Sequence, residues 1–230
     1  MKANYHTHTI FCDGKNTPEE MCDAAIAKGF DLLGFSSHSE MLADVGEYLS
    51  RIRNCAKLYE GRLIVKAGIE MELALPWVEG DYDFVIGSVH CVRAPDGVLV
   101  SVDHTPERTV DGVAAHFGGD YLAFAKGYFA AVRDTLHLPF DIVGHCDLIR
   151  KFSGVIKELG AALSDKSMAE EVEETAEAIA KSGKTVEINT GGITRGWLTE
   201  PYPAPAFQAL LEKRGVKFIN SSDAHSFDQL

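Results

Sequence analysis

The sequence predicts an α/β protein in which parallel strands form a closed barrel with helices outside. Short apolar runs alternate with helical patterns along all 230 residues, and repeated strand–helix units build a parallel sheet. An open, doubly wound sheet would show the same alternation. The closed barrel is favoured because histidines and carboxylates follow nearly every predicted strand, and parallel barrels gather their catalytic groups at the carboxyl ends of the strands.

Seven apolar runs predict the strands of the barrel. They cover residues 3–9, 31–37, 63–69, 83–90, 141–146, 185–190 and 217–222. The first helix is predicted to begin after Thr17, because Thr17 and Glu20 have the spacing of a capping box and Pro18 takes the first helical position. Helical patterns also lie at 49–59, 121–136, 168–179 and 206–214, and another helix is predicted to begin at 105–107. Residues 98–102 are predicted to form one arm of a small hairpin.

The composition predicts one domain over residues 1–230. The chain is 46% hydrophobic, which suffices for one core, and it lacks both a membrane-spanning apolar stretch and a signal sequence. Its five cysteines are odd in number and form no Cys-x-x-Cys pair, so neither disulfides nor a thiolate zinc site is predicted. We expect a cytoplasmic protein with no membrane partner. The formal net charge of -12 argues against a nucleic-acid partner.

Histidines and carboxylates recur where the predicted strands end. The candidate metal ligands are His6, His8, Asp13, His38, Glu70, His90, His145, Asp223 and His225. Clustered imidazoles and carboxylates are the groups that divalent metals bind. Without a metal, so many buried imidazoles would leave polar atoms unpaired, at a cost in free energy. The sequence therefore predicts a metal centre at the carboxyl end of the barrel.

The number of candidate ligands exceeds what a single ion takes, so we expect more than one metal. Two-metal sites suit phosphoryl transfer, because the ions activate a water molecule and hold both the attacking and the leaving oxygen. Zinc, iron and manganese all accept nitrogen and oxygen ligands. The reaction class predicted in this way is the hydrolysis of a small phosphate ester.

The motifs around these residues resemble those of the PHP (polymerase and histidinol phosphatase) superfamily, and within it those of the histidinol-phosphate phosphatases. In chain order they are His6-Thr7-His8, Cys12-Asp13-Gly14, Ser37-His38-Ser39, Gly68-Ile69-Glu70, Gly87-Ser88-Val89-His90, Gly144-His145-Cys146-Asp147, Glu187-Ile188-Asn189-Thr190 and Ser221-Ser222-Asp223-Ala224-His225. The resemblance extends from residue 6 to residue 225. It implies a distorted seven-stranded (β/α) barrel in a single PHP domain.

The resemblance also implies three divalent metal ions, which would be zinc, iron or manganese. The first ion would take His6, His8, Glu70 and Asp223, the second Glu70, His90 and His145, and the third Asp13, His38 and His225. The implied reaction is hydrolysis of L-histidinol phosphate to L-histidinol and phosphate in histidine biosynthesis. A hydroxide bridging two metals would attack the phosphorus, with no protein nucleophile.

Further residues are candidates for catalysis and substrate binding. Arg195 matches an arginine that the phosphatases use near the phosphate, where a guanidinium can hold two oxygens. Arg150 is a second phosphate-binding candidate. The ammonium and imidazole groups of the substrate could be contacted by Glu40, Asp103 and Trp197. The leaving alkoxide could receive its proton from a metal-bound water, Asp223 or His225.

The sequence departs from the family pattern in two places. Ser37 stands before His38 where many relatives have aspartate, so the hydrogen-bonding partner there is expected to differ. Relatives usually continue with a closing helix after the segment that holds His225, whereas this sequence ends at Leu230. We expect either a shortened chain or a barrel whose bottom is covered in another way.

Other functions are compatible with parts of the pattern. The enzyme could be a PHP phosphatase for another small phosphate ester or for a nucleotide. An amidohydrolase-like enzyme also opens with His-x-His, although it would not need Asp13, His38 and His225 for a third metal. The acidic charge argues against a nuclease or polymerase-linked PHP module. The full ligand set argues against a metal-binding domain without activity.

Overall fold

Seven parallel strands form a sheet that closes almost completely into a barrel. The computed structural model describes residues 1–230. The chain has nine strands, seven in the barrel and two in a hairpin. They are β1 (Ala3–Asn4), β2 (Leu32–Phe35), β3 (Ile64–Glu72), β4 (Phe84–Ser88), β5 (Cys91–Arg93), β6 (Leu99–Ser101), β7 (Ile142–Val143), β8 (Thr185–Asn189) and β9 (Phe218–Ser221). The barrel order is β1-β2-β3-β4-β7-β8-β9, and β5 pairs with β6 in a separate antiparallel hairpin. This hairpin confirms the arm predicted at 98–102.

The first and last barrel strands meet, which excludes an open sheet. Past the end of β1, the backbone N–H of His8 donates to the carbonyl oxygen of Ala224 at 2.8 Å. The N–H of Ala224 in turn donates to the carbonyl oxygen of His6 at 3.3 Å. These bonds form a parallel bridge between Thr7 and Ala224. The predicted seven-stranded α/β barrel is thereby confirmed.

Eight α-helices accompany the strands. They are α1 (Pro18–Ala27), α2 (Val45–Leu58), α3 (Pro106–His116), α4 (Tyr121–Thr135), α5 (Lys157–Leu163), α6 (Met168–Ser182), α7 (Gly191–Thr194) and α8 (Pro205–Lys213). The predicted capping box is confirmed: the N–H of Glu20 donates to the Thr17 hydroxyl at 3.2 Å, and Thr17 N–H donates to the Glu20 carboxylate at 2.9 Å. None of the helices combines the length and apolar character that a membrane crossing requires.

Alternation along the strands separates an outer core from the barrel interior. On β3, Ile69 and Met71 pack in the large apolar cluster beneath the helices, so the residues between them point to the barrel axis. A small interior cluster contains Phe84, Ile86 and Ile142. Gly68 leaves room for it, because a Cβ at this position would lie 2.3 Å from the Phe84 ring. Glu70, one pleat further along β3, therefore lies within the carboxyl-terminal half of the barrel.

Strands β1 and β7 are shorter than the sequence predicts. Where the ladder of β1 ends, side-chain oxygens accept its backbone hydrogen bonds: the N–H of His6 donates to Asn4 Oδ1 at 3.2 Å, and the N–H of Thr7 donates to Ser36 Oγ at 3.2 Å. Beyond β7, the N–H of His145 donates to a Glu187 carboxylate oxygen at 2.7 Å. The chain thus departs from regular strand geometry where its histidines reach the barrel mouth.

The helices α5 and α7 were not predicted from the sequence. Both are short, with seven and four residues, and too few positions are available in such segments for a periodic apolar pattern to stand out. After His225 the chain forms one 3₁₀ turn at Phe227–Gln229. Lys28 Nζ at the end of α1 donates to the carbonyl oxygens of Phe227 and Asp228, at 2.8 and 3.0 Å.

Candidate metal centre

The structure brings all nine predicted ligands together at the carboxyl ends of the strands. Six imidazole rings form a continuous cluster, with neighbouring centroids at 4.0 Å for His8 and His225, 4.4 Å for His8 and His38, 5.4 Å for His38 and His90, 5.0 Å for His90 and His145, 5.7 Å for His6 and His145, and 5.1 Å for His6 and His8. His104, His116 and His137 lie outside this cluster, as the strand positions predict.

Glu70 of β3 lies at the centre of the cluster. Its Oε2 is 3.0 Å from His38 Nδ1, 3.1 Å from His6 Nε2 and 3.5 Å from His8 Nε2. Its Oε1 is 3.0 Å from His145 Nε2 and 3.3 Å from His90 Nε2. Only 1% of the Glu70 residue is exposed. One buried carboxylate therefore faces five imidazoles, an arrangement suited to a ligand that bridges two ions.

The potential ligand atoms fall into four overlapping groups, in each of which they lie within 4.8 Å of one another. The groups are His8, Asp13, His38 and His225; His6, Glu70 and His145; His6, His8 and Asp223; and His38, Glu70 and His90. Three of the rings, those of His6, His8 and His38, each belong to two groups. The structure therefore places His38 beside Glu70 and His90 as well as beside Asp13.

Several donor and acceptor atoms in the cluster are buried without a hydrogen-bond partner. These atoms are His6 Nε2, His8 Nε2, His38 Nδ1, His145 Nδ1 and Glu70 Oε2. Burying polar atoms without partners is costly, and native structures rarely tolerate several at one place. Divalent cations coordinated by nitrogen and oxygen would satisfy them, so the residues present fit a metal centre.

Charge compensation between imidazoles and carboxylates is strong. Burial alone would lower the pKa of His6, but Glu187, Glu70 and Asp223 outweigh burial and raise it well above its usual value. His8 behaves in the opposite way: burial, together with the neighbouring rings of His225 and His38, lowers the pKa of His8 to about 3. His8 is thus neutral, the form in which an imidazole binds metal.

The three carboxylates of the cluster remain ionised. Burial opposes ionisation of Glu70, but the surrounding histidines hold its pKa well below the usual range. The same competition lowers the pKa of Asp223, where Arg195 is the strongest favourable partner, and that of Asp13, where His225 is the strongest. All three side chains therefore offer negatively charged oxygens to cations.

Glu72 contacts a candidate ligand and was not singled out by the sequence analysis. Its Oε2 accepts hydrogen bonds from His90 Nδ1 at 2.9 Å and from the His90 backbone N–H at 3.0 Å. Carboxylates of this kind orient the imidazoles that bind metals. The sequence held a usable signal, because Glu72 lies two residues after Glu70 and so shares its strand face.

Arg195 lies beside the candidate ligands that follow β9. Its Nη2 donates to Asp223 Oδ2 at 2.6 Å, and its Nη1 donates to the Asp223 carbonyl oxygen at 3.1 Å. Its Nε is buried without a partner. Asp223 adopts a φ of 53°, a left-handed conformation that non-glycine residues rarely take. Such local strain is typical of functional sites.

The other predicted substrate contacts have varied surroundings. Arg150 Nη1 donates to Asp147 Oδ2 at 2.8 Å and to the Pro201 carbonyl oxygen at 3.2 Å. Lys151 Nζ donates to the carbonyl oxygen of Asp103 at 2.6 Å. Burial would raise the pKa of Asp103, but His90 and Lys151 lower it, which keeps this carboxylate charged. Glu40 Oε1 is 3.8 Å from His38 Nδ1, and Trp197 packs edge-on against Phe152.

Comparisons with known proteins identify the family of this chain. Residues 4–191 match the family model described as the PHP domain. A Deinococcus radiodurans protein named "Probable histidinol-phosphatase" is 31% identical, over 96% of this chain and 85% of its own length. The crystal structure of HisK from Listeria monocytogenes superimposes with a TM-score of 0.86 at 21% identity, covering 100% of this chain and 97% of that one.

A second solved structure shares the fold with a lower TM-score. Histidinol phosphate phosphatase from Lactococcus lactis, crystallised with zinc, L-histidinol and phosphate, has a TM-score of 0.65 at 20% identity. The match covers 98% of this chain and 87% of that one. The family model spans most of the chain, and the relative from D. radiodurans spans nearly all of it. On these grounds, the chain belongs to the PHP domain family.

Proposed function

We propose that this protein is a metal-dependent phosphatase that hydrolyses L-histidinol phosphate to L-histidinol and phosphate, a step of histidine biosynthesis. The observation that carries the proposal is the group of buried, unpartnered ligand atoms around Glu70. The 31% identical relative named as a histidinol-phosphatase supports this substrate. Bound divalent ions would supply the chemistry by activating water and neutralising the charge of the phosphate oxygens.

We further propose that residues 1–230 act as one PHP domain with three ions, each zinc, iron or manganese. His6, His8, Glu70 and Asp223 would hold the first, Glu70, His90 and His145 the second, and Asp13, His38 and His225 the third. The spatial groups of His6, His8 and Asp223 and of Asp13, His38 and His225 support the first and third sets. Orphaned nitrogens on several of these rings favour ligation through them.

Arg195 is proposed to bind the phosphate group. Its Nη2 is engaged by Asp223, while its buried Nε has no partner. A guanidinium anchored on one side and free at Nε can donate to a phosphate oxygen without a large loss of side-chain entropy. Because Arg150 already donates to Asp147 Oδ2 and to the Pro201 carbonyl oxygen, we propose that it supports the segment after α7 and does not contact the phosphate directly.

Two acidic side chains at the edge of the site are proposed to contact the cationic end of the substrate. Asp103 is ionised and anchored by Lys151, and Glu40 lies beside His38. We propose that the leaving alkoxide takes its proton from water, because His225 is assigned above as a ligand of the third ion. Asp223 is the weaker choice, because its lowered pKa keeps it ionised at neutral pH.

The proposed setting of the enzyme is the cytoplasm, with a small phosphorylated substrate and no nucleic-acid partner. All five cysteines are free thiols, a state typical of proteins in reducing compartments. The formal net charge of -12 opposes binding to a nucleic-acid backbone.

The proposal is tested by a turnover screen on metal-loaded protein. Phosphate release is measured from L-histidinol phosphate, other small phosphate esters and nucleotides after loading with zinc, iron or manganese, and elemental analysis counts the bound ions. We expect kcat/KM for L-histidinol phosphate to exceed that for the other esters by about 100-fold, the order of discrimination that differences in pocket fit produce.

Matched variants and alternative substrates show whether the cluster is responsible. Glu70→Gln should abolish turnover and the loading of the two ions that Glu70 would share, whereas Glu170→Gln on the exposed face of α6 should change neither. Equal rates for unrelated phosphate esters would contradict the histidinol phosphate assignment. Hydrolysis of amides or lactones with no phosphate release would instead identify an amidohydrolase-like enzyme.

A further inference from the structure

Glu187 of β8 is a buried carboxylate that connects three other parts of the barrel. It is 0% exposed. Its Oε2 lies 2.8 Å from His6 Nδ1 and 2.5 Å from Ser221 Oγ, and its Oε1 lies 2.7 Å from the backbone nitrogen of His145 and 2.9 Å from Asn189 Nδ2. The carboxylate thus links the segments that follow β1 and β7 to β8 itself and to β9.

All four partners of Glu187 donate hydrogen bonds to it. The backbone N–H of His145 can only donate. The amide of Asn189 is oriented by the N–H of Gly191, which donates to Asn189 Oδ1 at 2.8 Å, so Nδ2 faces Glu187. The Ser221 hydroxyl donates as well, because ionised Glu187 has only acceptors. A carboxylate accepts on both oxygens, whereas glutamine would present an NH₂ group to two of these donors.

The contact with Glu187 determines which nitrogen of His6 is available to a metal. Because the carboxylate can only accept, His6 Nδ1 carries the proton that is shared in their 2.8 Å contact. Nε2 is then the ring nitrogen left to bind a cation. This atom lies 3.1 Å from Glu70 Oε2 and 3.8 Å from Asp223 Oδ1, and it has no hydrogen-bond partner of its own.

The other oxygen of Glu187 holds the backbone of His145. Strand β7 ends at Val143, so the ladder no longer accepts the N–H of His145, and Glu187 does so instead. On the opposite side, Tyr128 donates its hydroxyl to the His145 carbonyl oxygen at 3.2 Å. The His145 ring is thereby held with its Nε2 3.0 Å from Glu70 Oε1.

We propose that Glu187 is a positioning residue that prepares His6 and His145 together for metal binding. It sets the tautomer of one ring and the main-chain position of the other, and these two ligands face different oxygens of Glu70. The inference rests on the metal centre of the proposed function but not on the identity of the substrate. Glu72 plays the simpler part, since it contacts only one ligand, His90.

The test is Glu187→Gln in the full chain, with metal affinity measured by competition against a chelator for zinc. Loss of such a supporting carboxylate typically lowers metal affinity by about 10- to 100-fold. We expect Glu187→Gln to reach the upper end of this range and Glu72→Gln the lower end. Glu177→Gln, an exposed change on α6, is the matched control and should leave the affinity unchanged.

Two further readouts separate positioning from a general loss of stability. The visible spectrum of the cobalt-substituted protein should change in Glu187→Gln, and Glu187→Asp, which keeps both acceptor oxygens, should restore part of the affinity. Zinc affinity within about twofold of the wild type, together with an unchanged cobalt spectrum, would overturn the proposal.

If Glu187→Gln does not fold, the zinc-loaded wild-type protein still decides the question. A long-range proton–nitrogen NMR spectrum should show His6 protonated at Nδ1, and a proton on Nε2 would overturn the inference. None of these measurements uses turnover. A protein that binds zinc as expected but leaves L-histidinol phosphate intact would refute the proposed substrate and leave the role of Glu187 standing.

Discussion

At the scale of single residues, the site depends on a close approach between backbone and charged side chains. Arg195 reaches Asp223 across the start of α7, where the chain contains Gly191 and Gly192. A Cβ on Gly191 would lie 2.6 Å from Arg195 Nη2 and 2.9 Å from Asp223 Oδ2. The ion pair therefore needs the space that a side chain at position 191 would fill, which explains why glycine stands there.

Gly191→Ala is expected to lower turnover far more than stability. The added methyl group would displace Arg195 or Asp223, and a misplacement of about 1 Å at a reacting site can cost about 100-fold in rate. Steady-state kinetics and urea unfolding measure the two effects. Gly154→Ala is the control, since a Cβ there meets nothing within 4 Å. Equal kinetics for both variants would show that the ion pair tolerates displacement.

At the scale of elements, local capping fixes where the first helix begins, next to the loop that carries Asp13. Thr17 and Glu20 form reciprocal hydrogen bonds, and Pro18 occupies the first turn. These contacts involve residues that are close in the chain, so they form without help from distant segments. Asp13 therefore lies only four residues before the N-cap Thr17.

Thr17→Ala should destabilise the fold by about 1 kcal/mol, the usual cost of losing a capping side chain. Chemical denaturation provides the free energy of unfolding. Thr17→Ser retains a hydroxyl and should restore most of the loss. If the alanine and serine variants were equally unstable, the hydroxyl of the cap would not be the source of the effect.

At the scale of the whole molecule, an acidic protein with a formal net charge of -12 encloses a cluster of histidines whose pKa values differ. Burial lowers the pKa of His90, but Glu70 and Glu72 overcome burial and raise it well above the usual value. The pKa of His6 is also raised well above its usual value. Without metal, both rings are therefore imidazolium ions at neutral pH, and metal binding has to displace their protons.

Metal affinity is accordingly expected to rise with pH. Rings with raised pKa values hold protons throughout the neutral range, so each displaced proton costs about tenfold in affinity for every pH unit below its pKa. Chelator competition between about pH 6 and about pH 8, corrected for the chelator, should show this increase, with proton release visible to an indicator dye. Affinity that is flat over this range would show that the rings are already neutral.

Which parts of the molecule follow from the sequence depends on how far apart the interacting residues are. The seven strands could be predicted because strand–helix units are local and repeat along the chain. The gathering of His6, His38, Glu70 and His145 could also be predicted, since parallel strands bring their carboxyl ends to one side. The sequence did not predict the short helices α5 and α7. It also did not single out Glu72, because the contact of Glu72 with His90 exists only in the folded barrel.

The sequence by itself determined the strand order along the chain, the cap of α1 and the identity of the residues at the barrel mouth, because these features follow from neighbouring residues and from strand periodicity. Only the tertiary structure decided that Arg195 pairs with Asp223, that Arg150 pairs with Asp147, and that Glu187 joins His6 to His145. Hydrogen bonds depend on distances and angles of a few tenths of an ångström, and those between segments far apart in the chain exist only after the barrel has closed.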